Sequence, residues 1–331
     1  MNRKITLILP LLVLGFMFNT KAQCPTNIDF ESGLGSWIYY RGSVGAGPTY
    51  TTLAVTAPWP GIVTLTSLPG TDPYGFFPVV GAGCGTHSVK LGHDTTNSAT
   101  ERARYYIHVP STPGIWSLIY HYAAVLNDGG HPATQQPRFV VSAVDSATGT
   151  AVPCALYNYV VSTTVPGFLL SSVTAPGSGS AVYYKPWTMG NIKFPGLGGR
   201  TITLDVTAAG CSPTGHFGYG YFDMTCGFFA NQIISCASGT TTLTGPDGYS
   251  AYHWYDSTTF TTSYGTSQVV TITAPTVQTT YAVILTPYTG YGCPDTLYVE
   301  VVPSTLHVNP TPGHISLCSG SSVTLSAVMA L

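Results

Sequence analysis

The sequence has 331 residues, of which 44% are hydrophobic and only 7% are charged, and its formal net charge is −2 at pH 7. Residues 1–22 hold three of the 11 basic residues, so the rest of the chain carries eight basic residues against 13 acidic ones, a net charge of about −5. Nucleic-acid binding is therefore excluded, because it depends on basic side chains that neutralise phosphates. Abundant Gly, Pro, Thr and Tyr favour strands and turns over helices.

Residues 1–22 are predicted to form a secretory signal peptide. Two basic residues precede the apolar run Ile5–Phe18, and the small residues Thr20 and Ala22 predict cleavage before Gln23. The apolar run is shorter than the roughly 20 residues that a membrane-spanning helix needs. We expect a secreted product that has no transmembrane segment once the signal is removed.

The block from residue 23 to residue 230 consists of short segments in which polar and apolar residues alternate. Each segment is bounded by Gly, Pro, Asn or Asp, which is typical of a β-sandwich. The predicted strands include Ser88–Leu91, Ala103–Val109, Trp116–Tyr122, Arg138–Val144, Thr201–Thr207 and Tyr219–Met224.

The block from residue 231 to residue 303 has the length and turn spacing of an immunoglobulin-like (Ig-like) sandwich. Trp254 lies at the third-strand position, where such domains bury an indole. The predicted strands are Thr240–Thr244, Ala251–Tyr255, Val269–Thr273, Thr280–Thr286 and Thr296–Val302.

A partial repeat follows. The segment Cys236–Leu243 reappears as Cys318–Leu325, with the Leu seven residues after the Cys in both copies. The repeat predicts that residues 304–331 are a linker and the truncated start of a further Ig-like domain. On this interpretation, the sequence is the N-terminal piece of a longer protein.

Two stretches of the first block resemble a known fold. Cys24–Gly33, followed by Trp37, resembles the opening strand of galactose-binding-like jelly rolls, a fold shared by carbohydrate-binding modules and MAM-like domains, and Gly215–Asp223 resembles their closing strand. The Ig-like block resembles the repeats of large bacterial surface adhesins that use type IX secretion. The resemblance implies an all-β protein, a jelly-roll β-sandwich followed by Ig-like sandwiches, at the outer cell surface.

The same resemblance implies a structural calcium ion. Its ligands would be Glu31 of the opening strand and Asp223 of the closing strand, together with backbone carbonyls near Gly33. Calcium takes six to eight oxygen ligands, many of them from loops, so this chemistry is reasonable. The alternative is that Glu31 is a surface residue and that Asp223 accepts hydrogen bonds from a turn.

Eight cysteines in an exported chain predict disulfides, and the absence of a Cys-x-x-Cys pair argues against structural zinc. We expect one bond to close the Ig-like domain and two to join ends or loops of the jelly roll. Cys84 would be left over, and Cys318 would have lost its partner. The predicted pairs are Cys236–Cys293, Cys24–Cys226 and Cys154–Cys211.

No arrangement of residues predicts catalysis. The carboxylates are scattered, and the sequence has neither a Gly-x-Ser-x-Gly elbow nor a His-Glu-x-x-His motif. His216, in a glycine-rich turn, and Trp59, between two prolines, are the predicted ligand-binding residues. The alternative is that His216 is a structural or surface histidine and that Trp59 closes one end of the sandwich. The other tryptophans, at positions 37, 116, 187 and 254, are predicted to pack in cores.

The preferred function is a non-catalytic adhesion or glycan-binding protein that is secreted or displayed on the cell surface, and its partner would be an extracellular glycan or surface protein. One alternative is the non-catalytic binding region of a secreted polysaccharide-degrading enzyme whose catalytic domain lies outside this sequence. A second alternative is a purely structural surface protein.

Overall fold

The computed structural model describes residues 24–45, 50–59, 61–96, 98–111, 117–161, 166–213, 215–227, 230–236 and 239–304. These residues form strands and turns and no α-helix, so the all-β prediction is confirmed. Nothing in the described ranges makes a helix that is long and apolar enough to cross a membrane. The predicted signal peptide, Trp116 and Cys318 lie outside the described residues.

The first unit is a sandwich of two six-stranded sheets. The front sheet has the order β2-β1-β5-β11-β7-β8, and the back sheet has the order β3-β4-β12-β6-β10-β9, with antiparallel pairing throughout. The strands are β1 (Ile38–Val44), β2 (Tyr50–Thr56), β3 (Val63–Ser67), β4 (His87–Leu91), β5 (Ala99–His108), β6 (Ser117–Asn127), β7 (Arg138–Asp145), β8 (Tyr157–Val160), β9 (Leu169–Leu170), β10 (Val182–Lys193), β11 (Thr201–Ala209) and β12 (Gly218–Gly227).

The core between the two sheets follows from the alternation along each strand. On β5, Ala103, Tyr105 and Ile107 are buried and point inward, whereas the residues between them point to the opposite face. Each large apolar side chain that is fully buried in this way contributes about 1.5–3 kcal/mol. The alternation of the sequence therefore decides which side of each strand faces solvent.

Aromatic rings close one part of this core. Trp37 is buried and lies with its ring centroid 4.9 Å from that of Phe30 and 5.4 Å from that of Phe222. The segment that carries Phe30 and Trp37 begins at Cys24, which forms the predicted disulfide with Cys226. That disulfide is confirmed, because the opening segment does lie beside the closing strand.

The second unit is a smaller sandwich. Its five-stranded sheet has the order β13-β19-β18-β15-β16, in which β13 and β19 are parallel, and it packs against the pair β14-β17. Trp254 is buried in this core, and its Nε1 donates a hydrogen bond to Ser267 O at 3.0 Å. The order is compatible with an Ig-like sandwich, and both that assignment and the domain boundaries remain predictions. The strands are β13 (Ala230–Cys236), β14 (Thr240–Thr244), β15 (Ala251–Asp256), β16 (Ser263–Gly265), β17 (Val269–Thr273), β18 (Thr279–Thr286) and β19 (Asp295–Ser304).

A disulfide between Cys154 and Cys293 joins the two units, with a Cα–Cα distance of 5.3 Å. The predicted bonds Cys236–Cys293 and Cys154–Cys211 are therefore wrong. Pairing was assigned within each sequence block, and the sequence does not reveal that the turn after β7 meets the turn before β19. Two disulfides are typical of proteins that mature in an oxidising compartment.

Tyrosines from both units meet beside this disulfide and form what we call the tyrosine seam. The rings of Tyr159 and Tyr291 are stacked with centroids 4.9 Å apart, and Tyr249 donates a hydrogen bond to Met189 O at 2.9 Å. The cavity within the seam is about 20 Å³, room for about one water molecule. The seam is therefore an interface between units and not a pocket for a large ligand. Its members are Tyr120, Tyr122, Tyr157, Tyr159, Tyr249 and Tyr291.

Candidate functional site

The outer surface of the front sheet concentrates polar and aromatic side chains. On β5, residues Arg102, Arg104 and Tyr106 point away from the core; the neighbouring strands add Tyr40 from β1 and Asp205 from β11. We call these five residues the front face. The register places Tyr40 opposite Arg102 and Asp205 opposite Arg104, so all five side chains share one surface.

An arginine–aspartate pair forms the centre of the front face. Arg104 Nε lies 2.7 Å from Asp205 Oδ1, and Arg104 Nη2 lies 2.7 Å from Asp205 Oδ2, a bidentate geometry. Arg102 Nη1 lies 3.4 Å from Asp205 Oδ2. The hydrogen bond to Asp205 raises the pKa of the Arg104 guanidinium. The bidentate pair uses two of the five N–H donors of Arg104.

Two tyrosines flank this pair. The Arg104 guanidinium carbon lies 5.2 Å from the centre of the Tyr40 ring, a cation–π distance. Tyr106, two residues after Arg104, is 48% exposed. Tyr40 and Tyr106 therefore place aromatic rings on either side of a charged hydrogen-bonding pair.

The corresponding surface of the back sheet is covered. Tyr219 and Tyr221 point outward from β12 but are buried, because the segment between β3 and β4 packs over them. Asp72 of that segment is fully buried, and its Oδ2 accepts hydrogen bonds from Tyr219 Oη at 2.7 Å and from Tyr221 Oη at 3.0 Å. Its Oδ1 accepts from the backbone N–H groups of Tyr74 and Gly75. This surface is unavailable to a large ligand.

The second unit covers a further part of the back sheet. Ile119 of β6 is buried in the core of the second unit, and Met189 of β10 packs against the same core. The front face, by contrast, leaves Tyr106 exposed and its charged side chains partly accessible.

The predicted ligand-binding residue Trp59 lies near the start of β3, away from the front face. Its backbone carbonyl accepts hydrogen bonds from the N–H groups of Ile62 and Val63, and its side chain is 53% exposed. The Arg41 guanidinium carbon lies 5.2 Å from the Trp59 ring. Arg41 in turn pairs with buried Glu101, whose pKa burial raises to about 7. Trp59 thus covers a charged pair and still exposes about half of its surface.

The other predicted ligand-binding residue, His216, lies in the loop between β11 and β12. Its Nδ1 is 3.3 Å from Cys211 Sγ, and its ring centroid is 5.1 Å from that of His131. His216 and Trp59 lie in different loops and belong to different clusters. Ligand binding by either residue remains a prediction.

The two predicted calcium ligands occupy different settings. Glu31 Oε1 accepts hydrogen bonds from the backbone N–H groups of Thr86 and His87, and its Oε2 accepts one from Thr86 Oγ1. Although burial raises the pKa of Glu31, these bonds hold it below its usual value. Oε1 of Glu31 accepts two hydrogen bonds and Oε2 accepts one, so Oε2 is the oxygen with more remaining capacity to bind a cation.

Asp223 lies on the outer surface of the back sheet and is buried, which raises its pKa to about 8. The negative charges of Asp29 and Glu31 also raise it, so these three carboxylates lie close enough to interact. A divalent cation would reduce the repulsion between these carboxylates. Asp223 is therefore a better candidate for a cation ligand than Glu31 is. The calcium site remains a prediction.

The predicted core tryptophans have different outcomes. Trp37 and Trp254 are confirmed as core residues. Trp187 packs instead against Tyr221 on the outer surface of the back sheet, where its Nε1 donates a hydrogen bond to Pro78 O at 2.7 Å.

No known protein family and no curated protein matches this chain. Similar solved structures include the carbohydrate-binding module TmCBM61 in complex with β-1,4-galactotriose (9% identity, TM-score 0.32, 61% of this chain and 95% of that chain). Another is the family 11 carbohydrate-binding module from Clostridium thermocellum in complex with a β-1,3-1,4-mixed-linked tetrasaccharide (11% identity, TM-score 0.25, 59% of this chain and 90% of that chain). A third is the enzymatically active domain of bacteriophage CBA120 tailspike protein 4 (14% identity, TM-score 0.30, 61% of this chain and 21% of that chain). These similarities are too low to place the chain in a family.

The front face is not among the predicted sites, although the sequence of β5 contains a signal for it. Along β5, polar and aromatic residues alternate with the inward-facing Ala103 and Tyr105. This alternation predicts that Arg102, Arg104 and Tyr106 share the outward side of the strand. Two of the eight basic residues outside the signal peptide fall on that one side. Asp205 carried no such signal, because only the pairing of β5 with β11 brings it to Arg104.

Proposed function

We propose that this protein is a secreted or cell-surface, non-catalytic glycan-binding protein that binds its ligand at the front face. The observation that carries the proposal is the partly exposed bidentate pair of Arg104 and Asp205 between half-buried Tyr40 and exposed Tyr106. Guanidinium and carboxylate groups offer donors and acceptors to neighbouring sugar hydroxyls. Exposed tyrosine rings offer surfaces on which the C–H face of a sugar ring can stack.

The extent of the front face favours an oligosaccharide over a single sugar. Tyr40 lies opposite Arg102, and Tyr106 lies four residues farther along β5. At about 3.4 Å per residue, the two tyrosines are separated by about 14 Å along the strand. A ligand that contacts both rings must therefore be longer than one sugar ring.

The charge of the front face favours an anionic glycan. Arg102 and Arg104 share the single carboxylate of Asp205, which leaves excess positive charge on a chain that is otherwise acidic. Carboxylate- or sulfate-bearing polysaccharides should therefore bind more tightly than neutral ones. Raising the salt concentration should reduce this preference, because salt screens exposed charges.

The test is affinity electrophoresis of the mature chain in gels that contain neutral or acidic polysaccharides. Tyr106→Ala is expected to weaken binding about tenfold, equivalent to about 1.4 kcal/mol. Arg104→Lys keeps the charge but loses the bidentate geometry, and it should weaken binding as well. Tyr298→Ala is the matched control, because Tyr298 is an exposed tyrosine (39%) on β19 of the second unit.

If the Tyr106, Arg104 and Tyr298 variants bind with equal affinity, the binding site lies outside the front face. Release of reducing sugar from any bound polysaccharide would contradict the non-catalytic part of the proposal.

A purely structural role is the second candidate function. The disulfide between Cys154 and Cys293 and the tyrosine seam tie the two units together, as suits a rigid spacer between a surface and a distal domain. Failure of every polysaccharide in the panel to retain the protein would favour this role.

A further inference from the structure

Two loops at one end of the first sandwich bring three potential metal ligands together. His131 lies in the loop between β6 and β7, and Cys211 and His216 lie in the loop between β11 and β12. One ligand atom from each residue lies within 4.8 Å of the others. His131 and His216 are 85 positions apart in the sequence, so no short sequence motif predicts the cluster.

The distances are close to those of a tetrahedral zinc site. Cys211 Sγ lies 3.3 Å from His216 Nδ1. Typical Zn–S and Zn–N bonds of about 2.3 and 2.0–2.1 Å place such a pair of ligand atoms about 3.6 Å apart. The rings of His131 and His216 are inclined at 73°, so their planes do not stack. The ligand atom of His131 lies within 4.8 Å of the other two, so it would have to move closer by about 1 Å to complete a three-ligand arrangement.

The burial of these side chains adds a second line of evidence. Cys211 is a buried thiol. His131 Nε2 is also buried, and the described residues offer it no hydrogen-bond partner. A buried imidazole nitrogen without a partner is costly, and a metal ion would satisfy it.

The two loops are held in place by buried polar side chains. Arg138 is 2% exposed, and its Nη2 donates hydrogen bonds to the carbonyls of Ala133 and Thr134. Ser212 N donates to Gln135 O at 3.1 Å, which ties the second loop to the first. Metal sites depend on such outer hydrogen bonds to orient their ligands.

Close packing further constrains the two imidazoles. Gly129 lies directly against the rings, and a Cβ at this position would overlap His216 and lie 2.7 Å from His131 Cδ2. Asp128, the residue before it, accepts hydrogen bonds from Gly130 N at 2.8 Å and Gln136 Nε2 at 2.6 Å, which fixes the start of the loop.

We propose that His131, Cys211 and His216 bind one zinc-class divalent ion. Thiolate and imidazole ligands suit zinc, which is redox-inert and therefore compatible with an oxidising compartment. Three protein ligands leave the fourth tetrahedral position for water or for a donor group of a bound molecule. The ion joins the two loops, and this site is separate from the front face.

The test is titration of the metal-free mature chain with Zn²⁺ and with Co²⁺ as a spectroscopic substitute. We expect one ion per chain, and with Co²⁺ a sulfur-to-cobalt charge-transfer band together with the visible bands of a tetrahedral ion. Cys211→Ser should abolish the charge-transfer band. His131→Ala and His216→Ala should each weaken binding by more than the roughly 10–100-fold that loss of an outer hydrogen-bond partner costs.

Two variants are the controls. His108→Ala removes an exposed histidine of β5, and Cys84→Ser removes the buried thiol Cys84 from outside the cluster. Both should bind one ion with unchanged affinity and an unchanged charge-transfer band. Equal loss of binding in the control and ligand variants would overturn the proposal.

A measurement on the unmodified chain keeps the proposal testable if a ligand variant fails to fold. Zn²⁺ should protect Cys211 from alkylation, as read by mass mapping of the peptide that contains it. Alkylation of that peptide at the same rate with and without Zn²⁺, or the absence of a sulfur-to-cobalt band, would reject the site.

Discussion

The two outer surfaces of the first sandwich carry similar side chains in opposite environments. On the front sheet, Asp205 pairs with two arginines at a surface that solvent reaches. On the back sheet, Asp223 is 4% exposed, and burial raises its pKa to about 8. The same residue type thus forms a partly exposed ion pair on one surface and is buried, with a raised pKa, on the other. The difference comes from the segment between β3 and β4 and from the second unit, which together cover the back sheet.

The largest expected effect is a pH dependence that comes from the back sheet. Because the folded-state pKa of Asp223 is about 8 and its ordinary value is 3.8, the folded chain holds a proton that the unfolded chain releases. Stability should therefore fall as the pH rises from about 4 to about 8, by an amount on the order of 5 kcal/mol, and stay level above that.

Urea unfolding across this pH range in chelator-containing buffer is the measurement. Asp223→Asn should remove this fall, so the free energy of unfolding of the variant should change less between pH 4 and pH 8 than that of the unmodified chain. Glu101 also has a raised pKa, so only the difference from the unmodified chain is informative. Identical pH profiles for the unmodified chain and Asp223→Asn would show that Asp223 is ionised when folded.

The disulfide that helps to hold the second unit against the back sheet should have the next largest effect. Cys154 and Cys293 are 139 residues apart, and the chain-entropy model gives about 4.7 kcal/mol for a loop of about 100 residues. Replacing both cysteines with serine should lower the free energy of unfolding by a similar amount and raise the accessibility of Tyr291. Limited proteolysis and urea unfolding measure these changes; unchanged protease resistance would show that the tyrosine seam alone is sufficient.

Asp72 tests how strongly the covering segment is held. Asp72→Ala leaves the buried hydroxyls of Tyr219 and Tyr221 without their acceptor and should cost at least about 3 kcal/mol. On the front face, Asp205→Ala should cost less than that, because the Arg104–Asp205 pair is only partly buried and solvent still screens its charges. Thermal unfolding compares the two variants, and equal losses would mean that the two surfaces are equally exposed in solution.

The smallest expected effect concerns calcium. If Asp223 and Glu31 hold a calcium ion, a concentration 100 times the dissociation constant should stabilise the protein by about 2.7 kcal/mol. Asp223→Asn should remove that gain, and Asp145→Asn, a change outside this cluster, should keep it. A melting temperature that neither calcium nor a chelator alters would reject the site.

The alternation of polar and apolar residues by itself determined the β-architecture. Strands such as β14 and β17 were predicted with the bounds that the structure has, because inward and outward positions on a half-buried strand differ in polarity. The resemblance at Cys24 also placed the opening segment beside the closing strand, where Cys226 lies. Both features are local or depend on a single pairing of chain ends.

Tertiary structure alone decided which of these surfaces and residues meet. The Arg104–Asp205 pair, the Cys154–Cys293 bond and the His131–Cys211–His216 cluster each join residues that are about 80 to 140 positions apart or that lie in different units. The alternation of polar and apolar residues predicts that a side chain points outward, but it does not predict whether another segment covers that side chain. Coverage depends on long-range packing, and that packing leaves Tyr106 exposed on the front face and buries Tyr219 on the back.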